Sequence, residues 1–266
     1  MNAKNPIGVF DSGIGGLTVV KALREVLPYE DFIYLGDTAR VPYGNKTADT
    51  VTRFSHEVCR FLISHNVKMI VVACNTASAL SLPLLEKDFP IPILGMISSG
   101  ADAALQDSTA KHIGIIGTSA TIESGAYTAA IRAKAPFVRV SSKACPLLVP
   151  LVEEGWLEHK ITLEILREYL DPMLQDNIDS LVLGCTHYPL LKSLISQVVN
   201  EKVRLVDSAE ASAKATVSLL EKFHLSNPDH TPGRTALFVT DLPRKIDHVV
   251  ESFLGIQAIE TLKVCL

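Results

Sequence analysis

Short apolar runs alternate with amphipathic stretches along most of this 266-residue chain. The runs Ile7–Phe10, Phe32–Leu35, Met69–Ala73, Ile91–Leu94, Ile113–Ile116, Phe137–Val140, Leu181–Leu183, Val203–Val206 and Ala236–Val239 predict buried strands. Between them, Val51, Phe54, Val58, Phe61 and Leu62 recur at helical spacing, and so do Ile161, Ile165, Leu166, Tyr169 and Leu170. Apolar strands separated by helices predict an α/β fold with mainly parallel sheets covered by helices on both faces. The stretch Asn227–Gly233 (NPDHTPG) predicts a loop ahead of the last of these strands.

The pattern also repeats. Gly8-Val9-Phe10-Asp11-Ser12-Gly13 is a strand running into a small-residue turn, and Gly114-Ile115-Ile116-Gly117-Thr118-Ser119 has the same form. Val72-Ala73-Cys74-Asn75-Thr76 ends an apolar run in a cysteine and two polar residues, and Leu183-Gly184-Cys185-Thr186-His187 echoes it at nearly the same separation. Two similar α/β halves, each ending a strand in a cysteine, account for both echoes. The length fits two domains.

Composition narrows the class without changing this picture. Hydrophobic residues make up 47%, charged residues 20%, and the net charge is −4 with both signs interspersed. No Lys/Arg block stands out, so nucleic acid is not an expected partner. The N-terminus MNAKNPIGVFDSG lacks the apolar core of a signal peptide, and the run from Met69 to Cys74 is too short to span a bilayer. No membrane association is expected, and a cytoplasmic location is. The five cysteines, at 59, 74, 145, 185 and 265, include no C-x-x-C pair, so disulfides are not expected.

Ligands of parallel sheets gather at the carboxyl ends of strands. Four polar clusters fall at or near such ends: Asp11-Ser12, Pro42-Tyr43-Gly44-Asn45, Cys74-Asn75-Thr76 and Cys185-Thr186-His187. The turn Asp11–Gly16 is neither a dinucleotide fingerprint, because Thr18 stands where its third glycine belongs, nor a Walker A loop. It reads as a cap of the next helix or as a place where a small carboxylate meets backbone N–H groups. Cys59 lies on an apolar helical face and reads as core; Cys145 precedes Pro146 and Cys265 is next to last. Cys74 and Cys185 each end a strand and begin a helix, which favours a thiolate, and an ordinary thiol pKa of about 8.5 already suits acid–base work. Two thiols on opposite sides of one cleft can take a proton from one face of a small substrate and deliver one to the other, which inverts a stereocentre. The residues alone leave a zinc hydrolase open, with Asp11, Cys74, Cys185 and His187 as ligands, and also a non-catalytic amino-acid binding module.

At these motifs the chain resembles the aspartate/glutamate racemase superfamily, and within it the glutamate racemases. The motifs are Gly8–Gly16, Asp37-Thr38-Ala39 with Pro42-Tyr43-Gly44, Ala73–Ala77, Pro150–Gly155, Gly184–Pro189 and Val206–Ala209. The resemblance covers nearly the whole chain. It implies racemisation of L- and D-glutamate without a cofactor or metal, feeding peptidoglycan synthesis, by a homodimeric enzyme; another acidic amino acid such as aspartate is the alternative substrate. It implies Cys74 and Cys185 as the two proton donor/acceptors, with Asp11 assisting the first and His187 with Glu153 the second. Ser12, Tyr43, Gly44, Asn75, Thr76, Thr118, Thr121 and Thr186 match substrate-binding positions, to which Asp11 and His187 also contribute. It further implies a discontinuous first domain, residues 1–97 plus 207–266, and a second domain, residues 98–206, with hinges near Ser98-Ser99 and Val206-Asp207.

Overall fold

A computed structural model describes residues 2–106, 111–199, 202–242, 250–251, 253–254 and 260–266. From the N-terminus, β1 (Ile7–Asp11) leads to α1 (Leu17–Val26), β2 (Phe32–Gly36), α2 (Ala48–Ser64), β3 (Met69–Val72), α3 (Asn75–Asp88), β4 (Ile93–Gly95) and α4 (Met96–Leu105). There follow β5 (His112–Gly117), α5 (Ser119–Glu123), α6 (Ala126–Lys134), β6 (Arg139–Ala144), α7 (Leu148–Glu153), α8 (Lys160–Gln175), β7 (Ser180–Gly184), α9 (Lys192–Val199), β8 (Arg204–Asp207) and α10 (Ser208–Lys222). The last two strands are β9 (Thr235–Val239) and β10 (Thr261–Lys263), and short 3-10 turns span Tyr43–Asn45 and Tyr188–Leu191.

The strands form two sheets, β10-β9-β2-β1-β3-β4 and β6-β5-β7-β8, and every pairing within them is parallel. The order β2-β1-β3-β4 recurs strand for strand as β6-β5-β7-β8. The echoes in the chain are therefore topological equivalents: β1 corresponds to β5, and β3, which ends before Cys74, to β7, which ends before Cys185. In this order the connections reverse direction between β1 and β3, and again between β5 and β7. A crevice opens at such switch points, beyond the carboxyl ends of the strands. Each cysteine sits at one.

The central strands β1, β5 and β7 are buried along their whole length. One face of the first sheet, through Phe10, Leu35 and Val72, packs on Val51, Val58 and Leu62 of α2 and on Ala77 and Leu85 of α3. The other face, through Val9, Met69 and Val71, joins a core that continues into the second half at Ile116 and Leu183 of its sheet and at Tyr188 of the following 3-10 turn. Each fully buried Val or Leu contributes roughly 1.5–3 kcal/mol. Helices α4 and α10 link the sheets and pack against each other.

All nine predicted strands are present, with shifts at two of them. The run at Phe137–Val140 is displaced to β6, Arg139–Ala144, and Phe137 is fully exposed. β6 is an edge strand with a half-exposed, polar sequence, so its apolar signal is weak. The run at Ile91–Leu94 becomes β4, Ile93–Gly95. Strand β10 was not expected, because this edge strand of three residues is largely exposed. Among the described residues no helix is long and apolar enough to cross a membrane.

Candidate active site

The carboxyl ends of the two sheets face one another across a narrow cavity. Ser12, Tyr43, Gly44, Cys74, Asn75 and Thr76 line it from the first sheet, and Thr118, Cys185, Thr186 and His187 from the second. Its free volume is about 30 Å³, room for about two water molecules. Asp11, Thr121 and Glu153 stand one layer behind, each in contact with a lining residue. The structure thus brings together all the residues expected at the site. Val41 and Val149 also line the cavity. Neither was singled out, because a lone Val carries no chemical signal.

Cys74 caps α3: its Sγ accepts a hydrogen bond from the Ala77 N–H at 3.4 Å. The expectation of an ordinary thiol fails here. Burial pushes Cys74 up to about 12, and the Asp11 charge adds to it, against the opposing hydrogen bonds from Ala77 N–H and Ser12. Desolvation of the thiolate outweighs the helix N-terminus. Asp11 is itself fully buried and held above the ordinary carboxylate value by burial, although the His187 charge and the N–H groups of Gly13, Gly16 and Ser12 pull it down. Its Oδ2 accepts from Gly13 N–H at 3.1 Å and its Oδ1 from the Thr186 hydroxyl at 3.4 Å.

The other thiol has different company. Cys185 Sγ lies 3.9 Å from His187 Nδ1, and His187 Nε2 lies 3.2 Å from Glu153 Oε1 at the end of α7. Burial alone would lower His187, but its contacts with Cys185 and Glu153, together with the Cys185 and Asp11 charges, prevail and raise it to about 10. Among the described residues no Lys or Arg lines the cavity, and the imidazolium is the cation there. Of the other cysteines, Cys59 and Cys145 are buried and pushed up to about 12 by burial, while Cys265 is exposed.

Hydroxyls bridge the halves on the cavity wall. The Thr76, Thr118 and Thr121 Oγ1 atoms form a triangle with sides of 2.8, 2.9 and 3.1 Å. Thr18 on α1 donates to the Thr186 carbonyl at 3.1 Å. Gly44 leaves no room for a side chain: a Cβ there would lie 2.6 Å from Thr118 Cβ. The Tyr43 hydroxyl donates to the buried Asp37 carboxylate, which also accepts from Thr240 at the end of β9 and pairs with Arg40. This anchors the Pro42–Asn45 segment over the cavity. Among the described residues no three His, Cys, Asp or Glu side chains converge as a metal-ligand set, so the four groups considered for zinc surround the cleft without forming a cage.

Residues 8–216 match the Asp/Glu/Hydantoin racemase family. The glutamate racemase of Syntrophus aciditrophicus is 50% identical over 251 residues, covering 94% of this chain and 93% of that relative. The solved structure of a glutamate racemase from Francisella tularensis in complex with D-glutamate matches with a TM-score of 0.92 at 40% identity, over 99% of this chain and 98% of that one. A glutamate racemase isoform, RacE1, from Bacillus anthracis matches with a TM-score of 0.95 at 37% identity, over 100% and 99% of the two chains.

Proposed function

The chain belongs to the Asp/Glu/Hydantoin racemase family, and on that premise we propose that it interconverts L- and D-glutamate by proton transfer between Cys74, Cys185 and the substrate Cα, with no cofactor. The observation that carries the mechanism is the pair of thiols lining one narrow cavity from opposite sheets, each with its own helpers. The choice of glutamate over aspartate rests on relatives of about half identity that are glutamate racemases.

In the L-to-D direction the Cys185 sulfur takes the Cα proton. The C–H bond breaks, an S–H bond forms, and the electron pair spreads into the carboxylate. The opposite thiol, Cys74, then gives its proton to the other face. Cys74 is suited to this because burial keeps it protonated. His187, protonated to about pH 10, stands beside the sulfur that receives the proton. In the D-to-L direction the roles exchange, and Cys74 must first lose its proton next to Asp11. Hydroxyls and backbone N–H groups at the helix starts hydrogen-bond the substrate carboxylates. Acid–base catalysis contributes about 10²–10⁴-fold; positioning and a water-poor cleft supply the rest.

Two domains, 1–97 with 207–266 and 98–206, move about the hinges Ser98-Ser99 and Val206-Asp207 to admit substrate. The D-glutamate serves peptidoglycan synthesis, and the working unit is a homodimer. Racemisation in D₂O tests the two-base step. Deuterium should enter Cα of the product enantiomer, with little early exchange into recovered substrate; turnover without solvent deuterium in the product defeats the mechanism. Cys74→Ala and Cys185→Ala should each lower racemisation by at least about 10³-fold, and a variant that retains it removes that thiol from the reaction.

A further inference from the structure

Tyr127, on α6 of the second half, lies outside the cavity and is buried. Its hydroxyl donates to Asn75 Oδ1 at 2.7 Å, on the residue that follows Cys74. The Asn75 amide donates in turn to Ser208 Oγ at 3.4 Å, and Ser208 donates to the Leu183 carbonyl at 3.0 Å, two residues before Cys185. A buried chain of hydrogen bonds therefore runs from the start of the Cys74 helix to the end of the Cys185 strand.

The ring of Tyr127 is wedged between two glycines. A Cβ on Gly184, the residue before Cys185, would lie 3.2 Å from Tyr127 Cε2. A Cβ on Gly100 in α4 would lie 3.0 Å from both Cε1 and the hydroxyl oxygen, and Tyr127 supplies its three nearest neighbours. Glycine inside a helix is unfavourable relative to alanine, so its place at Gly100 answers to the ring. One side chain thus touches the Cys74 helix, the Cys185 strand and the helix that links the two sheets.

We infer that Tyr127 is a positioning residue that sets the separation and aim of Cys74 and Cys185 across the cavity. The inference rests on the two-thiol reading above. Proton transfer is steep in distance, and a displacement of about 1 Å can cost roughly a hundredfold in rate. Removing the hydroxyl frees the Asn75 amide and loosens the chain at the Cys74 end. The proton-transfer step then slows more than substrate binding weakens.

Tyr127→Phe and Gly100→Ala test this from two sides. Rates are measured in both directions with ordinary and Cα-deuterated glutamate, alongside thermal melting. Tyr127→Phe should lower kcat/KM about tenfold to a hundredfold in both directions, with most of the loss in kcat and a larger primary isotope effect. In Gly100→Ala the strain of a methyl against the ring is offset in part by alanine's helix preference, so the variant should stay folded with only a modest drop in melting temperature, yet turn over more slowly because its methyl displaces the ring. In the Tyr127→Phe background, Gly100→Ala should cost less than it does alone. Wild-type rates and isotope effects in both variants overturn the inference, and so does a slower Tyr127→Phe that melts lower with an unchanged isotope effect. If the wild-type protein itself shows no thiol-dependent racemisation, the two-thiol reading has failed, an outcome distinct from an active wild type with indifferent variants.

Discussion

His187 and Cys74 are both buried, and burial drives them the same way, toward the neutral form. For Cys74 nothing reverses it, and the thiol rises to about 12. For His187 the contacts with Cys185 and Glu153 reverse it, and the imidazole rises to about 10. At neutral pH Cys74 and His187 therefore each hold a proton. As pH rises, His187 is the first of these two to lose its proton. The alkaline limb of the L-to-D rate should therefore fall near pH 10 and not near 12. Glu153 raises His187, so Glu153→Gln should move that limb to lower pH. A pH–rate profile in which the limb stays put assigns it to another group. The two thiols share a task but differ in surroundings, so kcat need not be equal in the two directions even though kcat/KM must be.

At the scale of elements, the site is a set of helix starts. Cys74 caps α3, and Thr118 caps α5 with its Oγ1 accepting the Thr121 N–H at 3.3 Å. Backbone N–H groups left free in a first helical turn suit an anionic substrate. The segment carrying Tyr43 and Gly44 covers them and meets α5 at Thr118, in van der Waals contact that leaves no room for a methyl group. Gly44→Ala should therefore hold this segment off the second half. KM for glutamate should rise roughly tenfold, about 1.4 kcal/mol of binding, with a smaller change in kcat and unchanged secondary structure. Steady-state kinetics with circular dichroism check this; an unaltered KM removes Gly44 from the closing contact.

On the scale of the whole molecule, the space between the thiols is smaller than an amino acid. On the proposed mechanism, substrate enters as the halves separate. Helix α4 carries one proposed hinge and the end of β8, leading into α10, carries the other; between the two helices lies a wedge of about 490 Å³ lined by Ser99, Asp102, Arg204, Asp207 and Lys214 among others. That free space lies at the linkers, where a rotation of one half against the other needs it. Small-angle scattering should show the free protein more extended on average than the protein saturated with glutamate. Superimposable profiles with and without substrate defeat the closure.

The chain by itself determined the alternation of apolar strands and amphipathic helices, because burial on both faces of a parallel sheet demands uninterrupted apolar runs. It also marked Cys74, Cys185 and their polar neighbours, since polar residues directly after such runs lie at strand ends. Edge strands β6 and β10 were harder to read, because half-exposed strands need no apolar signature. Only the tertiary structure decided which strand ends face each other, and hence that two thiols separated by more than a hundred residues share one cavity. It also decided the protonation of Cys74. The helix start at Cys74 predicts a stabilised thiolate, but desolvation by surrounding elements, which no local pattern records, raises the thiol to about 12. Tyr127 reads as one more core aromatic; its bond to Asn75 exists because the second half folds against the first.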